Sequence, residues 1–168
     1  MSNVLAVDAA NELDTVEDIE MFWAADDERP DVGRAVIQHL MHIAAGDCLT
    51  WEHGGPVNHE SYVETGSAPM GGAYTWRGGI LASVSGTRNG RPAVAVRRTP
   101  VSGPGWYLVA SMATVTGTSC AAFMVLALDE SGKRTGSFAA EDWAEPEAFY
   151  TALERVGTPR HEIVESLH

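Results

Sequence analysis

Eight side chains able to bind a metal or move a proton fall within residues 39–60: His39, His42, Asp47, Cys48, Glu52, His53, His59 and Glu60. On a helix, His39 and His42 would lie roughly 60° apart, close enough to share one ion. A thiolate beside imidazoles suits zinc. In a zinc-dependent hydrolase, His39, His42 and His53 or His59 would hold the ion, with Cys48 as a further ligand. Glu52 or Glu60 would then act as general base on a metal-bound water, whose pKa the ion lowers toward neutrality. The spacing is neither Cys-x2-Cys nor His-Glu-x2-His, so only the clustering speaks for this chemistry. No cofactor is the first expectation and zinc the alternative.

Nucleophilic catalysis has less support. Ser111, Ser119 and Cys120 lie in an apolar run with no histidine nearby in sequence, and no Gly-x-Ser-x-Gly elbow is present. The glycine-rich stretch 66–72 lacks the Lys-Ser/Thr ending of a phosphate loop. The chain therefore leans toward a protein without catalytic activity.

Charge supplies a different kind of site. Residues 65–128 contain no Asp or Glu and five arginines, Arg77, Arg88, Arg91, Arg97 and Arg98. The blocks 1–64, 65–128 and 129–168 carry −12, +5 and −5, which accounts for the net −12. Arg88 and Arg91 flank an Asn-Gly turn, and Arg97 and Arg98 close the strand that returns from it. They either blunt a sheet edge or contact an acidic surface, in a partner or in a second copy of the chain. Trp51 and Trp76, bracketing the glycine-rich region, are candidates to line a pocket or interface.

A net charge of −12 excludes a generic nucleic-acid binder, which needs a basic surface. Two cysteines are too few for a disulfide scaffold, and the start lacks the basic n-region of a signal peptide, so a cytoplasmic location with reduced thiols is expected. Residues 106–128 are uncharged over a length that could span a membrane, but Thr114–Ser119 with Gly117 at its centre reads as a turn between two buried strands. No membrane association is expected.

The elements that must position these groups form one domain of α+β class. A loose acidic leader, 1–13, precedes a helical region, 14–45, with one helix capped at Asp14 or Thr15 and another from about Asp31 to Ala45. A long glycine-rich loop covers 46–73. An antiparallel β-meander of about five strands occupies 74–139, anchored by the hairpin at Asn89-Gly90. Its later strands are Trp106–Val115, Ser119–Leu128 and Arg134–Ala139. One or two C-terminal helices within 144–166, the first starting at Pro146 and stopping at Gly157, pack on the sheet. Leu81-Ala-Ser-Val84 followed by Asn89-Gly-Arg-Pro92 and Val94 resembles the first hairpin of flavin-binding split barrels related to pyridoxamine-phosphate oxidases. That family carries the hairpin near its N-terminus, and the likeness spans residues 81–94 alone.

The function expected from these residues is a non-enzymatic binding or interaction protein, such as an inhibitor, immunity-type or assembly factor. It would use an acidic helical surface and the arginine-bearing sheet edge (Arg88, Arg91, Arg97, Arg98) against a protein partner, either another protein or a second copy of itself in a homo-oligomer. A small-ligand carrier with a pocket between sheet and helices is the further alternative.

Overall fold

In a computed structural model of the chain, residues 1–26, 38, 47–52, 55–60, 77–100, 106–108, 110, 112–129, 136–137 and 139–167 are described. The chain divides into two compact units, Met1–Asp27 with Thr75–His168, and Glu28–Tyr74.

The first unit is α+β, as the hairpin and helix signals require. Helix α1 spans Ser2–Ala10 and strand β1 Thr15–Asp26. In the second unit, β2 (Asp47–Glu52) and β3 (Gly55–Glu60) form a two-stranded antiparallel sheet. Back in the first, β4 (Arg77–Arg88) and β5 (Arg91–Arg98) are joined at Asn89-Gly90. Both turn residues have positive φ, 53° and 71°, as a type I′ turn needs. Helix α2 (Met112–Leu128), a single helical turn at Ala140–Trp143, helix α3 (Pro146–Arg155), a 3-10 turn at Arg160–Glu162 and strand β6 (Glu165–Leu167) complete it. The four-stranded sheet is antiparallel throughout, in the order β1-β4-β5-β6.

Several elements differ from the sequence expectation. The leader at 1–13 is not loose: Val4, Leu5 and Ala9 of α1 are fully buried. The helix expected from Asp14 or Thr15 is strand β1, because Ile19, Met21 and Trp23 alternate with Asp18, Glu20 and Phe22 at period two. The two strands expected within 106–128 are replaced by α2, whose buried positions Val115, Thr118, Ser119 and Ala122 recur at helical spacing. Gly117 sits exposed on this helix and makes no turn. Residues Gly136, Ser137 and Ala139 do not form the expected last strand. Part of the expected loop at 46–73 is the β2–β3 hairpin, and the second expected C-terminal helix is one 3-10 turn leading into β6. The helix expected over 31–45 lies outside the described residues, Gln38 excepted. Among the described residues, no helix is long and apolar enough to cross a membrane.

The larger of two apolar clusters among the described residues holds the unit together. It joins Val4 and Leu5 of α1, Ile80 and Ala82 of β4, Val115 and Ala122 of α2, and Phe149 and Leu153 of α3. Phe149 is its centre, fully buried with its ring 4.5 Å from Phe123. Pro146 opens α3, where its missing N–H costs nothing, and Gly157 at φ 102° ends the segment. Glu162 ties the two ends of this region: its buried carboxylate accepts the backbone N–H groups of Tyr107 (2.6 Å) and Leu108 (3.0 Å).

Candidate functional site

Two features of the first unit have the chemistry of recognition. The first is centred on Arg97, in β5 opposite Ala82 of β4 and Ser166 of β6. The strand alternation turns its side chain to the helix-covered face, where Asp8 of α1 and Glu12, in the turn just after the helix, stand four residues apart. Arg97 Nε donates to Asp8 Oδ2 at 3.0 Å, Nη2 donates to Glu12, and Nη1 donates to the Val96 carbonyl at 3.2 Å. Arg88 shares Glu12 from the far end of the hairpin. Tyr150 of α3 donates its hydroxyl to Asp8 Oδ2 at 3.0 Å.

The ionisation of these groups is fixed by their surroundings. Hydrogen bonds from Arg97, then from Arg88, hold the Glu12 carboxyl below the usual carboxylate range. Burial alone would lower the Arg97 guanidinium, but the bonds and charges of Glu12 and Asp8 outweigh it and leave the pKa raised. Burial, followed by the Asp8 charge, pushes the Tyr150 phenol far above its ordinary value. A permanently protonated phenol and guanidinium cannot shuttle a proton near neutrality. The cluster can anchor α1 and recognise charge.

Beside it lies a cavity of about 360 Å³ between α1, the start of α3 and the β5–β6 edge, reached by Asp8, Arg97, Glu145, Glu147, Tyr150 and Arg160. Arg160 lies over the Tyr150 ring, 5.5 Å from its centroid, and donates to Glu147 (2.6 Å) and Glu154 (3.2 Å). Its hydrogen bond to Glu147 is the first cause of its raised pKa. This is a pocket between sheet and helices.

The second feature is β1. It pairs with β4 on one side and, among the described residues, borders no strand on the other. Twelve residues is long for an edge strand. Register places Ile19, Met21 and Trp23 opposite Val84, Ala82 and Ile80, on the face that α1 covers further in. At the edge this cover stops, and these side chains stand 48%, 49% and 57% exposed. The opposite face presents Asp18, Glu20 and Phe22. The register shift between Val16 and Asp18 leaves Glu17 as the extra residue of a bulge, a usual device at sheet edges. Where β1 passes Gly86, its backbone comes so close that a Cβ there would meet the Thr15 carbonyl oxygen at 1.9 Å.

Three of the four arginines expected at an exposed edge have partners within the chain. Arg97 is buried, Arg88 pairs with Glu12, and Arg98 pairs with Glu165 of β6. Arg91, beside the turn, is exposed. Of the expected metal ligands, Cys48 and His59 stand opposite each other in the β2–β3 register, and Glu60 stands opposite Asp47. Glu52 is opposite Gly55, and Trp51 opposite Pro56. His39, His42, His53 and Trp76 lie outside the described residues. Among the described residues, no three His, Cys, Asp or Glu side chains form a metal-binding group.

Sequence reasoning missed Asp8, Glu12, Glu145, Tyr150 and Arg160, and the role of β1. The i, i+4 spacing of Asp8 and Glu12 and the alternation from Asp18 to Trp23 were the signals that could have found two of these features. Comparison with protein-family models, with curated proteins and with solved structures gave no match.

Proposed function

We propose that this protein is a non-enzymatic interaction protein that receives an extended segment of a partner chain along strand β1. The observation that carries this reading is the outer side of a twelve-residue strand that, among the described residues, borders no other strand, with Ile19, Met21, Phe22 and Trp23 about half exposed. Such an edge is a ready template for another strand, whose main-chain hydrogen bonds give affinity and whose alternate side chains give specificity.

Charge selects the partner. Glu17, Asp18, Glu20 and Asp26 lie on β1, and no basic residue does. A second β1 laid alongside would bring like charges together, which is destabilising. The complementary occupant is a basic segment of alternating pattern. Its Lys or Arg residues would face Asp18 and Glu20, and its apolar residues would continue the surface of Ile19, Met21 and Trp23.

The test is binding of a peptide alternating Lys and Val, with a Glu-Val peptide as counterpart. The Lys-Val peptide is expected to bind the full chain preferentially, with affinity falling as salt screens the contacts. The variant Asp18→Lys/Glu20→Lys should reverse the preference, by on the order of tenfold for two cross-strand pairs inverted. Equal binding of both peptides, or no effect of the charge reversal, would remove the basis for this reading.

A further inference from the structure

The cavity beside Arg97 carries an inference independent of β1. We infer that it is a binding site for a small organic cation, a guanidinium or alkylammonium group, which takes the place now occupied by Arg160.

Its lining decides the sign of the ligand. Asp8, Glu145 and Glu147 against Arg97 and Arg160 leave a formal charge of −1, before Glu12 behind Arg97 is considered. Arg97 offers an anion less than a free guanidinium would, because three of its five N–H groups already donate to Asp8, Glu12 and the Val96 carbonyl and two carboxylates flank it. The first turn of α3 would by itself favour negative charge, but Glu145 and Glu147 already stand there. Glu145 occupies the N-cap position without a side-chain capping bond, and among the described residues its carboxylate has no partner. That leaves one acceptor open for an incoming donor.

A lining residue of the cavity, Arg160, shows how such a cation sits here. Arg160 projects its guanidinium over the Tyr150 ring while Glu147 and Glu154 accept its hydrogen bonds. An aromatic face with carboxylates at its rim is the usual receptor for this chemistry. Arg160 is held loosely enough to leave. Its side chain is 42% exposed, Glu147 is 73% exposed, and ion pairs at such sites contribute little. Tyr150 is the opposite case: it is buried and tied to Asp8, so the ring stays as a floor when Arg160 swings away. The space already open beside Arg160 is about 360 Å³, at the small end of ligand pockets, and with Arg160 swung aside it accommodates one cationic head group with a short stem.

Arg160 then acts as a competitor, and this gives the test a sign. Methylguanidinium, ethylammonium and inorganic phosphate would each be titrated into the full chain, with backbone amide shifts followed by NMR. Methylguanidinium is expected to saturate with shifts centred on Arg97 and residues 145–150, with ethylammonium at the same place and phosphate without saturation. Arg160→Ala should tighten methylguanidinium binding roughly two- to fivefold by removing the resident cation from the ring. Arg160→Gln should act in the same direction, and Glu145→Gln should weaken binding by a similar factor. Weaker binding in both Arg160 variants, saturable phosphate binding in the cavity, or no saturation by either cation would overturn the assignment.

Discussion

Replacing Arg97 with alanine removes a cation that α1 and the sheet share, and the size of the loss follows from what remains. Arg97 is 8% exposed, and removing one partner of a buried ion pair costs about 3–5 kcal/mol, because the remaining charge is left without compensation. Here two carboxylates remain. Asp8 keeps the Tyr150 hydroxyl and Glu12 keeps Arg88, and the Asp8 and Glu12 side chains are 24% and 27% exposed. Water and these second partners recover part of the loss, which places Arg97→Ala near the lower end, about 3 kcal/mol. For a chain of this length that corresponds to a melting temperature lower by about 6–12 °C. Urea unfolding followed by tryptophan fluorescence measures it, with Arg91→Ala as the exposed control expected within about 0.5 kcal/mol of the parent. An Arg97→Ala loss within that same band would refute the reasoning, because α1 would then not be anchored through Arg97.

Other expectations follow from the same contacts. Gly86→Ala should destabilise by about 1–3 kcal/mol, an overpacking cost, since β1 must retreat from the Thr15 contact; a neutral effect in thermal melts would place the β1–β4 approach elsewhere. Glu12 has a lowered pKa in the folded chain, so the unfolded chain binds its proton first as pH falls. The stability Glu12 supplies is complete above the unfolded carboxyl value of about 4.3 and is lost as pH drops through the lower folded value. Stability of Glu12→Gln should therefore fall less steeply below that pH than the parent's, and parallel pH profiles would contradict it. Elemental analysis after attempted zinc loading is expected to find less than about a tenth of an equivalent. Stoichiometric zinc lost on substituting His39 and His42 would instead support the hydrolase reading, with Cys48 and His59 already opposite each other.

The charge boundary in the sequence is now legible in physical terms. The acid-free block holds β4, β5 and α2, and three of its five arginines take their counterions from outside it: Arg97 and Arg88 from α1 and the residues after it, Arg98 from β6. Segregated charge along the chain thus marks which distant segments meet. The Asn89-Gly90 hairpin and the Pro146-to-Gly157 helix were readable because turn and cap residues act locally. Residues 106–128 were not, since a run apolar on every side has no periodicity to separate helix from buried strand. β1 misled for another reason. Acids near Asp14 resemble a helix start and mask the alternation from Asp18 to Trp23, which pairing with β4 holds extended. The Arg97 cluster draws on α1, β5 and α3, so the local i, i+4 spacing of Asp8 and Glu12 could mark only its acidic half.

The central claim is that β1 accepts a strand, and amide hydrogen exchange on the full chain tests it most directly. With the Lys-Val peptide bound, outward-facing amides of residues 15–26 should become protected while the inward ones, already paired with β4, change little. Unchanged exchange along β1 at saturating peptide, or protection confined to another element, would contradict the claim.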